Sequence, residues 1–218
     1  MDRQNPTFEI MNLIIITSVI NISRNPLDYT KTRSVFSTQE RYIQTILTIK
    51  SLNKMTNRKI LFIEGSEIDK EYENTIRSNV DFFIQIKNDH RLKPIIDGLS
   101  KGSAEASLTI EALKCINIEE YDNVFKISGR YRLNDSYRES IFEEKLSIFK
   151  LSGGSYCTTL YKINKKDYDL YIKTLDKAFE SGKMYEIVFF DAFFKIAKEI
   201  DNLGVSGEVS VDGNHIVQ

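Results

Sequence analysis

A regular alternation of short, wholly apolar runs with longer amphipathic ones constrains this chain more than any other feature. Asn12 to Val19 (NLIIITSV), Lys59 to Ile63 (KILFI), Val80 to Ile86 (VDFFIQI) and Asn123 to Ile127 (NVFKI) are brief and rich in β-branched and aromatic residues. Such runs predict strands buried on both faces. The segments between them have helical character. Ser37 and Glu40 have the spacing of a capping box, and they open a helix whose apolar stripe is Tyr42, Ile46 and Ile49, flanked by Ile43 and Leu47. Glu67 to Arg77 is a short polar helix. Ala104 to Ile116 is a longer one, with Leu108, Ala112 and Cys115 or Ile116 on one side. Strand and helix in alternation imply an α/β fold, a largely parallel sheet with helices on both faces. Further along, Ser155 to Ile163 predicts a strand, Asp167 to Phe179 and Tyr185 to Ile200 two helices, and Val205 to Val211 an edge strand.

No linker-like stretch interrupts the 218 residues, so they are read as one domain. Apolar residues make up 41%, enough to fill a substantial core. Lysine plus arginine (30) nearly cancels aspartate plus glutamate (31), and a dedicated nucleic-acid binder would carry a basic excess. No nucleic-acid partner is expected. Cys115 and Cys157 are far apart and outside any CxxC pair, and are read as buried free thiols. The start of the chain lacks a signal peptide's pattern, and the longest apolar run, Leu13 to Ile16, is too short to span a bilayer. A soluble, cytoplasmic protein is expected, with no membrane span.

In an open sheet of this kind, ligands bind beyond the carboxyl ends of the strands. Thr17-Ser18, Glu64-Gly65-Ser66 and Ser128-Gly129-Arg130 should therefore lie along one cleft. The long stretch from Ile20 to Phe36 predicts a loop next to it, and loops of that length are often functional. In KISGRY, Gly129 would allow close backbone approach and Arg130 offers a planar fork suited to phosphate; a strand end with a snorkelling Lys126 and a turn glycine explains the same letters. Lys101-Gly102-Ser103 precedes a helix, where free N–H groups attract anions; an ordinary N-cap at Ser103 is the plainer alternative. Arg41 and Gln44 share a helix face, either solvated or turned to the loop. Glu186 and Asp191 lie among large apolar residues. A desolvated carboxylate there would have its pKa raised, as suits a general base. Five positions place the two about 140° apart around a helix, so one pocket could use only one of them. His90 and His215 form no metal-spaced cluster.

ITSVI (Ile16 to Ile20), PLDYT (Pro26 to Thr30), RSVFSTQER (Arg33 to Arg41), Gln44-Thr45, IEGS (Ile63 to Ser66), KGSAEA (Lys101 to Ala106) and FKISGRY (Phe125 to Tyr131) occur in a characteristic order. Over roughly the first 135 residues the chain resembles the small glycosyltransferase domains of the chlorella virus capsid kind and their relatives in bacterial surface-polysaccharide loci. The resemblance implies a single GT-A-like α/β/α sandwich over residues 1–218, with a nucleotide-binding part at about 12–135 and an acceptor and catalytic part at about 136–218. It implies a nucleotide-sugar donor, a UDP-sugar by analogy, and a glycan or glycoprotein acceptor. It also implies residence in the host cytoplasm if the chain is viral. The chain ends on HIVQ with no obvious terminal cap, so other domains of a longer polypeptide are expected.

The same resemblance assigns Thr17, Ser18, Val19 and Arg33 to the base and ribose, with Glu64 beside them. Lys101 falls to the pyrophosphate, and Glu186 or Asp191 to the base for an inverting transfer. Ser128, Gly129 and Arg130 fall where such enzymes carry an Asp-x-Asp motif for manganese or magnesium. That motif is missing, so either Arg130, helped by Lys101 or Lys126, supplies the positive charge, or Asp135 binds a metal from just downstream. A binding module without catalysis is the rival expectation. A nucleotidyltransferase is disfavoured because the first strand is not followed by a GxGxR-type loop.

Overall fold

The computed structural model describes residues 10–86 and 89–218. The first buried run forms strand β1 (Asn12–Ser18), followed by helix α1 (Thr38–Ser51), β2 (Arg58–Glu64), α2 (Lys70–Arg77), β3 (Phe82–Gln85), the single turn α3 (Lys93–Ile96) and α4 (Lys101–Lys114). After these come β4 (Asn123–Ser128), β5 (Tyr131–Leu133), the hairpin β6 (Ile148–Ser152) and β7 (Ser155–Asn164), α5 (Tyr168–Ser181), α6 (Tyr185–Phe193), β8 (Lys198–Glu199), β9 (Val205–Glu208) and β10 (His215–Val217). Seven strands make one sheet in the order β3-β2-β1-β4-β7-β6-β8. β3, β2, β1 and β4 run parallel, β7 lies antiparallel to β4 and to β6, and β8 rejoins parallel to β6. β10-β9-β5 form a second, antiparallel sheet.

β1 is central and apolar on both sides because both its faces are covered. Leu13 and Ile15 pack with α4, α5 and α6, whereas Ile14 and Ile16 pack with α1, α2 and the small sheet. At its amino end an amide ladder crosses the sheet. Asn123 Nδ2 donates to Asn12 Oδ1 (3.0 Å), and Asn164 Nδ2 donates to Asn123 Oδ1 (3.1 Å). These bonds satisfy buried side-chain polarity and link β1, β4 and β7 in register. No helix among the described residues is long and apolar enough to cross a membrane.

Several elements depart from the sequence expectations. α4 starts at Lys101, capped by Ser100 rather than Ser103. Helix α6 stops at Phe193 because the chain returns to the sheet: Lys198 N donates to Ser147 O (2.8 Å) and Ile200 N to Phe149 O (2.9 Å). β9 is the middle strand of its sheet rather than an edge. β6 lies outside the sequence expectations because Lys150 and Ser152 mask a short strand, which pairs through the Gly153-Gly154 turn. Cys115 is exposed at the end of α4, not buried, since the helix's apolar side passes through Ala112 instead. On α1, Ile43 and Leu47 face solvent while Arg41, Gln44, Thr45 and Thr48 are buried.

Candidate functional site

The carboxyl ends of β1 and β4 lie side by side, with Thr17 opposite Ser128 in the ladder. Gly129 makes this closeness possible. A Cβ there would lie 3.1 Å from Ser18 Cβ, and its N–H donates to Thr17 O at 3.0 Å. The polar face of α1 closes the seam from behind. Thr45 Oγ1 donates to Gly129 O (3.2 Å) and lies 3.4 Å from Ser18 Oγ. Its buried polar residues are thus the fasteners of a strand-end platform.

Two adjoining cavities open on that platform, of about 610 Å³ and 1160 Å³. Thr17, Ser18, Val19, Arg33, Lys101, Ser128 and Arg130 line the first, together with Arg41 and apolar walls from Ile22, Ile96 and Leu108. Tyr29, Thr158, Thr159 and Glu186 line the second. Lys101, Glu105, Ser128 and Arg130 border both and form the junction.

The junction is strongly cationic. Burial pushes Lys101 down to about 7, and Arg130, Arg41 and Arg33 push the same way against Asp212. Burial and Arg130 likewise lower Arg41 to about 9, with Glu64 opposing. Lys126 is fully buried under the platform, and burial followed by Arg130 depresses its ammonium well below the ordinary value. Arg130 Nε is buried with no partner among the described residues. Cations massed this closely repel one another, and an anion seated between them would relieve the repulsion.

Other residues named from sequence are placed differently. Glu64 is wholly buried and does not line either cavity. Its Oε1 accepts from Ile20 N (2.8 Å), Ser66 N (3.0 Å) and Ser66 Oγ (2.5 Å), which holds the chain as it leaves β1. Burial raises its pKa above the carboxylate norm. Gly129 stands behind the wall. Arg33 reaches the first cavity, but its guanidinium donates to three carbonyls: Ile96 O (2.6 Å), Gly98 O (2.7 Å) and Asp97 O (3.4 Å). Asp191 is exposed and lines neither cavity, so the desolvation expected of it is absent: it projects from the outer side of α6. Asp135 is also exposed, and is paired with Lys54 at 2.9 Å. His215 sits 3.4 Å from Glu208 on the small sheet, and Lys126 is a buried floor residue rather than a snorkelling one.

The residues do not fit a divalent cation. Where such an ion would meet a leaving diphosphate the chain presents Arg130 and Lys101, and among the described residues no group of three acidic, cysteine or histidine side chains could hold a metal. The metal-ligand expectation for Asp135 is therefore corrected: a carboxylate neutralised by Lys54 on an exposed surface offers no coordination cage.

Sequence reasoning missed Glu105, Ser210 and Tyr29 as cleft residues. Glu105 had a signal, since it lies four residues after Lys101 and hence on the same helix face. Ser210 had none. It arrives from the C-terminal segment, where its Oγ donates to Arg33 O (3.0 Å) and its carbonyl accepts from Val35 N (2.8 Å).

No protein-family model matches the sequence, and no curated protein does. Solved structures match in fold. The glycosyltransferase GlyE of Streptococcus pneumoniae TIGR4 superposes with a TM-score of 0.50 at 14% identity, over 88% of this chain and 45% of that one. The bifunctional glycosyltransferase WbbM, in its apo form, superposes with a TM-score of 0.53 at 10% identity, over 90% of this chain and 40% of that one. The chain thus has a glycosyltransferase-type α/β fold and spans under half the length of these structures.

Proposed function

We propose that this chain is a glycosyltransferase domain that moves a sugar from a nucleotide-sugar donor to an acceptor hydroxyl. The observation carrying the proposal is the junction itself: Arg130, with an unpartnered buried Nε–H, stands with Lys101 between an apolar-walled cavity and a hydroxyl-rich one. A nucleoside suits the first cavity, a diphosphate the junction, and a sugar with its acceptor the second. The fold shared with GlyE and WbbM supports the same assignment.

In this mechanism the acceptor oxygen bonds to the sugar's anomeric carbon as the bond from that carbon to the diphosphate breaks. The electron pair of the broken bond leaves with the nucleoside diphosphate. Arg130 and Lys101 stabilise the negative charge that develops there, the part that preorganised cations play without reorganisation at the moment of reaction. Glu186, half-buried at the start of α6 in the second cavity, takes the acceptor proton. Asp191 has no part. Thr17, Ser18 and Val19 contact the nucleoside, and Arg33 fixes the wall carrying Ile96. A UDP-sugar donor, a hexosyl unit and a glycan or glycoprotein acceptor are our proposals within this reading. So are the division into a nucleotide part (12–135) and an acceptor part (136–218), attachment to further domains, and a cytoplasmic setting.

Thermal shift and calorimetry with UDP, GDP, CMP and dTDP and their sugars test the donor site, because a ligand that binds only the folded state raises the melting temperature. A shift confined to one nucleotide class is expected. No shift from any of them, in a protein shown to be folded, overturns the proposal. Binding without sugar transfer or donor hydrolysis by any acceptor tried would leave a nucleotide-sugar-binding module instead.

A further inference from the structure

Glu105 is an anion in a cleft otherwise built for anions. It borders both cavities at the junction, a quarter exposed, beside Lys101 and Arg130. A carboxylate there weakens diphosphate binding unless something offsets its charge. Lys126 does so from below: its ammonium contacts Glu105 Oε1 and donates to Ser128 Oγ at 3.1 Å, while Ser128 Oγ donates to the same Oε1 at 3.3 Å. Lys126 is fully buried, so it cannot itself meet a ligand. A lysine placed on β4 between Ile15 and Tyr161 in the ladder is costly to bury. Its contacts with Glu105 and Ser128 hold the Glu105 carboxylate in place. Both contacts fall on Oε1, which leaves the second oxygen's lone pairs for a ligand in the cleft.

We infer that Glu105 is a specificity-determining residue that accepts hydrogen bonds from hydroxyl groups of the donor's sugar, and that the sugar is a neutral, hydroxyl-bearing one rather than an acidic one. An ionised carboxylate only accepts, and a sugar hydroxyl is the donor a glycosyl unit offers beside its diphosphate. The inference rests on the donor reading above and adds to it the class of sugar. Lys126 and Ser128 are positioning residues.

The test compares two affinities in one protein, for UDP and GDP against UDP-glucose, UDP-galactose and GDP-mannose, by calorimetry. Glu105→Gln removes the charge and keeps the shape. We expect free nucleoside diphosphate to bind as tightly as before or tighter, and the nucleotide sugar to bind at least tenfold more weakly. UDP-glucuronate, disfavoured by the parent, should close part of its gap to UDP-glucose. Because Glu105→Gln leaves Lys126 without a counter-charge, the double variant Glu105→Gln, Lys126→Met is measured alongside and should show the same loss. An unchanged ratio of the two affinities in a folded variant overturns the inference while leaving the donor reading intact. Failure of the parent protein to bind any of these nucleotides overturns both.

Discussion

Thr158 on β7 donates a hydrogen bond to Glu186 at the start of α6, Oγ1 to Oε1 at 3.3 Å, so the central sheet and a helix of the C-terminal half jointly aim one carboxylate into the second cavity. If that carboxylate takes the acceptor's proton, Glu186→Gln should lower kcat by about 10² to 10⁴, the usual range for a positioned general base, with donor affinity nearly unchanged. Thr158→Val should lower kcat several-fold, and Thr158→Ser should restore it. Asp191→Asn, on the outer side of α6, should leave kcat where it was. Steady-state kinetics over pH separates these outcomes.

Lys101 supplies a pH test. Burial and the surrounding arginines hold it at about 7 in the free protein, far below a lysine in an unfolded chain. A bound diphosphate offers opposite charge and raises that value. Between the two values binding takes up a proton, so donor affinity should fall as pH rises above about 7 and level off above the bound value. Calorimetry at pH 8 in buffers of different ionisation enthalpy should register uptake approaching one proton, lost in Lys101→Met. The sign for stability follows. The unfolded state binds more protons than the folded one between about pH 7 and the ordinary lysine value, so this group costs stability below that window and the cost fades as pH rises through it. Lys101→Met should therefore melt higher than the parent without ligand, while binding nucleotide worse.

Removal of divalent metal should change little. The junction carries Arg130 and Lys101 where an ion would otherwise stand, and Asp135 is engaged by Lys54. Donor affinity and turnover in excess EDTA should stay within about twofold of their values with manganese. Arg130→Met should reduce turnover by about 10² to 10³, as loss of a preorganised charge-stabilising group does elsewhere. Strict manganese dependence of the parent would refute the assignment of the leaving group to Arg130 and Lys101.

Much of the fold was legible because burial on both faces leaves little freedom in residue choice. β1 reads as a doubly buried strand from its letters alone, and Leu13, Ile14, Ile15 and Ile16 do divide between two cores. The capping box of Ser37 and Glu40 is also a local signal, formed by bonds within four residues. What failed to show were contacts made across the fold. Arg41 and Gln44 look like a wet helix face until the strand ends they pack against are known; only then does Arg41 Nε find Val19 O at 2.8 Å. Asp191 looked desolvated because its helical neighbours are apolar, but the face of α6 that it shares with Ile187 and Phe194 is itself exposed. Glu105 and Lys126 are 21 positions apart, and nothing local to either marks them as partners.

Arg33 separates a structural role from a ligand-binding one. Its guanidinium serves the carbonyls of Ile96, Asp97 and Gly98 at the end of α3, with Asn25 Nδ2 also donating to Asp97 O (3.2 Å). Three carbonyls at one helix end need donors, and a planar fork can reach them together where an ammonium cannot. Hydrogen bonds to a charged donor each contribute about 1.5 to 3 kcal/mol when buried, and the part-buried setting of the bonds to Asp97 and Gly98 reduces that. Arg33→Lys should therefore destabilise the protein by roughly 1 to 3 kcal/mol in urea titration. It should also weaken nucleotide binding, because Ile96 forms a wall of the first cavity. The two effects can be told apart by mass action: if the melting-temperature deficit widens in nucleotide at the same concentration, the variant binds nucleotide more weakly, as loss of the wall predicts. If a deficit of the same size persists at saturation, the carbonyl clamp is its main work. A variant as stable as the parent but unable to bind would instead make Arg33 a direct contact to base or ribose.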